Sequence, residues 1–177
     1  MNHLKLIAFD VLSLCDLSSV DRADMRKYHG HIADFLDTRE WKPLDYPPSW
    51  EAIAAYPDVA PGIAKLRERF TVVALSNLPV RLISKISRNS WISWDSIIPL
   101  ELKRTYKPRV GAFLTVCELF AVGAHEVAMV TANGRPCREF NDLGAAATLG
   151  MTPFLVRDEK IPTVVDLAAI LEQGDAK

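Results

Sequence analysis

The sequence contains no run of about 18 apolar residues, the length that lets a helix cross a membrane. Its N-terminus also lacks the basic segment and the long apolar stretch of a secretory signal. We therefore expect a soluble, unprocessed protein that has no membrane partner.

The chain also lacks an excess of charge of one sign. Its 177 residues include 21 Lys and Arg against 22 Asp and Glu, which gives a net charge of -1. Nucleic acids and anionic membranes attract strongly basic surfaces, and this composition offers none. The expected partner is a small-molecule substrate, with no nucleic acid.

Cysteine is scarce, with three residues at Cys15, Cys117 and Cys137. The number is odd, and the spacing matches neither a zinc site nor a redox motif. We expect reduced thiols and a cytoplasmic protein, because disulfides persist mainly in oxidising compartments.

What the sequence does contain is an alternation of two patterns. Runs rich in Val, Ile and Leu alternate with segments of helical period, which is typical of parallel strands joined by crossover helices. Strands are predicted near residues 4–10, 71–76, 96–100, 126–131 and 153–156. Helices are predicted near residues 61–69, 79–89, 109–121, 139–149 and 163–173. The chain is predicted to be a three-layer, Rossmann-like α/β protein with a parallel sheet.

Residues 16–56 do not follow this alternation. They contain one helical pattern over residues 21–37, a connector rich in Trp and Pro, and a short helix from about Ser49. We interpret them as a small helical cap inserted after the first strand, with residues 1–15 and 57–177 forming the core. A surface helix with a stiff linker remains the alternative.

Polar side chains follow several predicted strands at the point where each strand ends: Asp10, Ser76, Thr131 and Asn133. The carboxyl ends of parallel strands share one edge of the sheet, where α/β proteins bind ligands. A carboxylate there can attack carbon or phosphorus and form an ester that water later cleaves. Lys107 is the candidate cation that keeps such a nucleophile ionised.

At this point the sequence resembles the haloacid dehalogenase superfamily, and within it the L-2-haloacid dehalogenases. The segment Leu6-Ile7-Ala8-Phe9-Asp10 resembles the first motif of that superfamily, and Val73-Ala74-Leu75-Ser76-Asn77 resembles the second. The third motif is similar to Tyr106-Lys107-Pro108, and the fourth to Val130-Thr131-Ala132-Asn133 followed by Asp142. The inserted residues 16–56 resemble a shortened form of the cap of these enzymes.

The resemblance implies an enzyme that acts through an aspartate nucleophile. By this likeness Asp10 is the nucleophile, Lys107 is its charge partner, and Asp142 positions or activates the hydrolytic water. The substrate-binding residues implied by the same likeness are Ser13, Arg26, Ser76, Asn77, Thr131 and Asn133. Arg26 resembles the cap arginine that receives the leaving halide or holds the substrate.

Two departures from the family pattern bear on the reaction. Leu12 stands where phosphatases of the superfamily carry a second aspartate, which acts as general acid and helps to shape a magnesium site. Phe113 stands where the dehalogenases tend to have a tyrosine. Leucine cannot transfer a proton to a leaving alkoxide, whereas a halide needs no proton. The departure at position 12 therefore favours 2-haloacid dehalogenase chemistry without a metal or other cofactor.

Two alternatives remain open at this stage. One is a magnesium-dependent small-molecule phosphatase of the same fold, and the other is a catalytically silent member that binds a ligand or a partner through the cap. A homodimer is possible on the habit of the relatives, and a compact monomer is the other option.

Overall fold

The structure, a computed structural model, describes residues 3–134 and 141–173. Its centre is a five-stranded sheet in which every neighbouring pair of strands is parallel. The strands are β1 (Leu6–Phe9), β2 (Thr71–Ala74), β3 (Ser96–Ile97), β4 (Val127–Thr131) and β5 (Thr152–Leu155), in the spatial order β3-β2-β1-β4-β5. The predicted α/β class and parallel sheet are confirmed.

Helices cover both faces of the sheet. They are α1 (Arg22–Thr38), α2 (Val59–Leu66), α3 (Val80–Asn89), α4 (Val110–Phe120), α5 (Asp142–Thr148) and α6 (Val164–Gln173). Successive residues of β1 point to opposite faces, as the pleat requires. Ile7 and Phe9 pack with α2 and α6, whereas Leu6 and Ala8 pack with α4. The result is the expected three-layer arrangement.

Several boundaries differ from the sequence prediction. The predicted strand 96–100 is paired only at Ser96–Ile97, although Ile98 and Leu100 are also buried. An apolar run indicates that its residues are buried, but it does not show that they pair with a neighbouring strand. Several predicted strands are therefore longer than the observed ones. Helix α2 begins at Val59 rather than at residue 61, which places Pro61 in the first turn, where a missing N–H costs little. The start of the predicted helix 139–149 lies outside the described residues, and α5 is described from Asp142.

The inserted segment leaves and rejoins the core at one point. Cys15 and Ala55 form an antiparallel bridge, the Asp16 amide donates to the Ala54 carbonyl at 3.0 Å, and the Tyr56 amide donates to the Leu14 carbonyl at 3.0 Å. This bridge lies at the two boundaries that the sequence assigns to the insertion. Between them lie α1 and a 3₁₀ helix at Pro48–Ala52.

Helix α1 packs one face against the core. Its inward stripe is Tyr28, Ile32 and Phe35, which are all buried and follow helical spacing. Phe35 meets the ring of Tyr106 edge-on, and the Tyr106 hydroxyl donates to the Lys42 carbonyl at 2.7 Å. The cap is therefore fixed to the core by packing and by a hydrogen bond. Within the described residues, no helix is both long and apolar enough to cross a membrane.

The contact between α2 and α6 gives a stability prediction at Gly62. A Cβ at this position would lie 2.7 Å from the backbone carbon of Val164, closer than packed atoms allow. We expect Gly62→Ala to lower the free energy of unfolding by about 1–3 kcal/mol through overpacking. Urea denaturation measures the change.

Gly30→Ala is the matched control, because Gly30 lies inside α1 and a Cβ added there would meet nothing within 4 Å. We expect this variant to gain about 0.5–1 kcal/mol from the better helix propensity of alanine. A Gly62→Ala protein as stable as the Gly30→Ala protein would contradict the close packing of α2 on α6.

Candidate active site

The site lies at the carboxyl edge of the sheet. Asp10 follows β1 directly, and its amide donates to the Val130 carbonyl of β4 at 2.9 Å, which fixes the backbone of Asp10 beside β4. Ser76 follows β2, and Thr131 ends β4. The structure thus gathers at one edge the strand-end residues that the sequence singles out.

Lys107 joins two carboxylates at this edge. Its Nζ lies 3.0 Å from Oδ1 of Asp10 and 2.5 Å from Oδ2 of Asp142. The side chain of Lys107 is 1% exposed, against 9% for Asp142 and 15% for Asp10. These three charged groups form a buried ion triad in which Asp10 is the member most open to solvent.

The surroundings of the ion triad perturb its ionisation. Burial acts to lower the pKa of Lys107, but the attraction of Asp10 and Asp142 outweighs it and leaves the pKa raised, so Lys107 is an ammonium. Burial raises the pKa of Asp142, and repulsion from Asp10 adds to this, against the opposing effect of Lys107. The ammonium of Lys107 is stabilised by two carboxylates, whereas the Asp142 carboxylate is repelled by that of Asp10. Asp142 is therefore a stronger base than an ordinary aspartate.

Asn77 holds the backbone of Lys107. The Lys107 amide donates to Oδ1 of Asn77 at 2.6 Å, and Nδ2 of Asn77 donates to the Lys107 carbonyl at 3.0 Å. This double hydrogen bond ties the segment after β2 to the segment that carries the ammonium. Asn77 also lines the cavity, so the residue implied as a substrate binder positions Lys107 as well.

Two serines form hydrogen bonds with Asp10. Ser76 Oγ lies 3.4 Å from Oδ1 of Asp10, to which it donates a long hydrogen bond. Ser13 Oγ donates to the Asp10 carbonyl at 2.9 Å and accepts from Thr131 Oγ1 at 3.1 Å and from the Ala132 amide at 3.0 Å. Ser13 thereby joins the turn after β1 to the end of β4. Ser76 and Thr131 are fully buried behind the cavity wall.

A cavity of about 210 Å³ opens above the ion triad. The cap contributes Leu17, Met25, Tyr28 and His29 to its lining. The remaining lining residues come from the core: Asp10, Leu12, Ser13, Asn77, Lys107, Ala132, Asn133 and Asp142. The insertion therefore covers the strand ends, as a cap does.

Arg26 is not part of this lining. It is exposed on α1, and the residues of that helix that reach the cavity are Met25, Tyr28 and His29. Residues two apart on a helix point in widely different directions, which separates Arg26 from Tyr28. The sequence analysis did not predict Tyr28 as a residue of the site. Its helical spacing from the apolar residues Ile32 and Phe35 could have indicated that it faces the core.

Known proteins resemble this chain in structure but not in sequence. No protein-family model matches it, and no curated protein is similar enough in sequence to match. A defluorinating L-2-haloacid dehalogenase superposes with a TM-score of 0.77 at 19% identity, covering 96% of this chain and 95% of the other. A second L-2-haloacid dehalogenase gives 0.76 at 19% identity, covering 96% and 99%. The enzyme from Xanthobacter autotrophicus gives 0.74 at 18% identity, covering 96% and 98%.

The chain has the haloacid dehalogenase fold. The expected likeness to L-2-haloacid dehalogenases is thus confirmed at the level of the fold, over nearly the whole chain. At this edge of the fold, the second, third and fourth motifs supply Asn77, Lys107 and Asp142 to the cavity that contains Asp10.

The donor set does not fit the magnesium ion of the phosphatase alternative. Mg²⁺ requires near-octahedral oxygen ligands, but the side chain that follows Asp10 into the cavity is the apolar Leu12. The ammonium of Lys107 already contacts both carboxylates and neutralises one of their two negative charges. Among the described residues, no group of three or more His, Cys, Asp or Glu side chains could hold a metal.

The ion triad makes the stability of a Lys107 variant depend on pH. Lys107→Met leaves two carboxylates without their cation, and we expect a loss of about 3–5 kcal/mol near pH 7. Without the ammonium, the already raised pKa of Asp142 rises further. A carboxyl group whose pKa is higher in the folded state opposes folding above that pKa, and lowering the pH through it relieves the penalty. The loss should therefore be smaller at pH 5, as measured by urea denaturation.

Lys103→Met is the control for this experiment. Lys103 pairs with Glu118 at 3.1 Å on the surface, where both side chains are about half exposed. An exposed pair of this kind contributes about 0–1 kcal/mol. A Lys107→Met protein that lost the same stability at both pH values would contradict the electrostatic role of the ammonium.

Proposed function

We propose that this protein is a hydrolase that cleaves the carbon–halogen bond of a small 2-haloacid, with Asp10 as nucleophile and without a metal. The observation that carries the proposal is the ion triad on the wall of the cavity beneath the insertion. A carboxylate paired with a buried ammonium, next to a second acid of raised pKa, suits a two-step displacement and hydrolysis.

In the proposed first step, a carboxylate oxygen of Asp10 attacks C2 of the substrate. A C–O bond forms as the C–X bond breaks, and the halide leaves with the bonding electron pair. The product is an ester between Asp10 and the 2-carbon of the acid. Lys107 holds the Asp10 carboxylate in place before the attack, because its Nζ lies 3.0 Å from Oδ1.

In the second step, water attacks the carbonyl carbon of the Asp10 ester. Asp142 accepts the proton of that water, since its pKa is raised above that of an ordinary aspartate. Lys107 contacts both acids and stabilises the negative charge on the tetrahedral intermediate. The bond between the Asp10 carbonyl carbon and the substrate oxygen then breaks, and Asp142 returns its proton to that oxygen, so that a 2-hydroxyacid leaves. Asp10 keeps one oxygen from the water, and the second proton of the water is released to solvent.

The leaving group decides between carbon–halogen and phosphate chemistry. An alkoxide leaving group needs a proton. Leu12, which lines the cavity together with Asp10, has no acidic proton to donate. A halide needs no proton. The structural neighbours support the same choice, since they are L-2-haloacid dehalogenases, and one structure from Xanthobacter autotrophicus has chloropropionic acid covalently bound.

We also propose that the protein works in the cytoplasm on a free small molecule. Cys15 and Cys117 are free thiols, and burial raises the pKa of Cys15 to about 12, so it stays a neutral thiol. Unpaired cysteines of this kind suit a reducing compartment.

Asp10→Asn tests the nucleophile. We expect no halide release from 2-chloropropionate, because an uncharged amide is a poor nucleophile. In the unmodified protein, a single turnover in heavy-oxygen water should place the label in the Asp10 carboxylate, as detected by peptide mass spectrometry. Asp45→Asn removes an exposed carboxylate of the insertion and should keep full activity.

The same assay is run on a panel of short 2-haloacids and on a phosphate ester, each with and without a chelator. We expect turnover of a haloacid that the chelator leaves unchanged. Full activity of Asp10→Asn, or turnover only of the phosphate ester with loss on chelation, would overturn the proposal. A folded protein that is silent on the whole panel would overturn it too.

Asp142→Asn separates the two steps. The amide can still contact Lys107 but cannot accept a proton, so we expect ester hydrolysis to slow by roughly 10²–10⁴-fold. Halide release should then occur as a burst of one equivalent per protein, and intact mass spectrometry should find the accumulated ester. Steady-state turnover equal to that of the parent protein would exclude Asp142 as the base.

A further inference from the structure

Tyr28 is a buried phenol on the cap side of the cavity. It lies on the inward stripe of α1, is 6% exposed, and packs its ring against Trp50 with 5.8 Å between ring centroids. It lines the same cavity as Asp10, Lys107 and Asp142. Its position is fixed by the packing of α1 rather than by a flexible loop.

The environment of Tyr28 keeps its hydroxyl protonated. Burial raises the pKa of Tyr28 well above its ordinary value, and the carboxylates of Asp10 and Asp142 raise it further. The hydroxyl also forms a hydrogen bond with the side chain of Asn77. A phenol oxygen can accept from an amide and donate its own proton at the same time. Tyr28 is therefore a neutral hydrogen-bond donor close to the ion triad.

The direction of the proposed displacement explains why a donor is needed on the cap. When Asp10 attacks from the sheet edge, the leaving atom departs on the far side of the substrate carbon, toward the cap. The described cap residues on the lining are Leu17, Met25, Tyr28 and His29. Leu17 and Met25 offer no hydrogen-bond donor, and His29 is exposed, so Tyr28 is the buried donor of this set.

We propose that Tyr28 is a further catalytic residue, whose hydroxyl donates a hydrogen bond to the departing halide in the first step. The inference rests on the proposed function. The bonding pair of the C–X bond leaves with the halide, and the Tyr28 proton stays on its oxygen and solvates the developing negative charge. Tyr28 thus performs the leaving-group role that the family resemblance implied for Arg26, which lies outside the cavity lining.

Tyr28→Phe tests this role because it removes the hydroxyl and keeps the ring against Trp50. A donor aimed at developing charge contributes roughly 10²–10³-fold when that charge is an oxyanion, and a halide is a weaker acceptor, so we expect roughly a 10- to 100-fold slower release of chloride. Iodide accepts hydrogen bonds more weakly than chloride does. The loss should therefore be clearly smaller with 2-iodopropionate than with 2-chloropropionate in single-turnover assays.

Two further measurements separate catalysis from structure. The rate at which the Asp10 ester is hydrolysed after halide release should change by less than about twofold, because Tyr28 acts on the first step. Tyr46→Phe is the matched control. Tyr46 lies in the same insertion, but the lining of the catalytic cavity does not include it among the described residues. This variant should release halide at the parent rate.

The outcomes distinguish this inference from the proposed function. A parent protein that turns over 2-haloacids while Tyr28→Phe matches it would overturn the role of Tyr28 alone. An equal loss for chloride and iodide, or a loss in ester hydrolysis as well, would assign Tyr28 a structural role and overturn the inference too. A parent protein without haloacid turnover removes the proposed function, and this inference with it.

Discussion

The ammonium of Lys107 between two carboxylates is the interaction on which the site depends. Removing three charges from water costs several kcal/mol per ion, and attraction offsets this only when the partners are held in place. The fold supplies that constraint at each partner. The Asp10 backbone is hydrogen-bonded to β4, and Asn77 fixes both backbone polar groups of Lys107. The three charges are therefore organised by the fold, which is the arrangement that the proposed electrostatic catalysis requires.

The same short segment that carries the ammonium also anchors the cap. Tyr106 precedes Lys107, packs against Phe35 and donates to the Lys42 carbonyl at 2.7 Å. Arg109 follows two residues later and donates to the Leu36 carbonyl at 3.2 Å near the end of α1. The bridge between Cys15 and Ala55 holds the base of the insertion. The position of the cap and the position of Lys107 are thus set by one stretch of backbone, which links the residues above the cavity to the ion triad on its wall.

The strand-end residues could be predicted from sequence because a parallel sheet brings its carboxyl ends to one edge. Asp10 and Lys107 meet although they are 97 positions apart, and Lys107 meets Asp142 across 35. The hydrogen-bond partners of the side-chain amides and hydroxyls at this edge could not be predicted. Whether Asn77 binds substrate or holds the Lys107 backbone, for example, depends on the conformation of the loops. The choice of Arg26 followed a motif likeness. Two residues turn a helix by about 200°, so the apolar stripe that buries Tyr28 excludes Arg26 from the same face.

For the proposed reaction, the geometry of the ion triad also explains how a buried ion pair could keep a reactive nucleophile. Leu12, Leu17 and Met25 line the cavity beside the charges, and apolar walls strengthen every charge interaction. A carboxylate bound tightly to one ammonium in such surroundings would be stabilised and slow to react. Here the shorter contact of Lys107, 2.5 Å, goes to Asp142, and the longer one, 3.0 Å, goes to Asp10. One ammonium shared between two carboxylates leaves their negative charge only partly offset, and Asp10 is the more exposed of the two acids. In the proposed reaction, the second carboxylate thus contributes to the reactivity of the first before it acts on water.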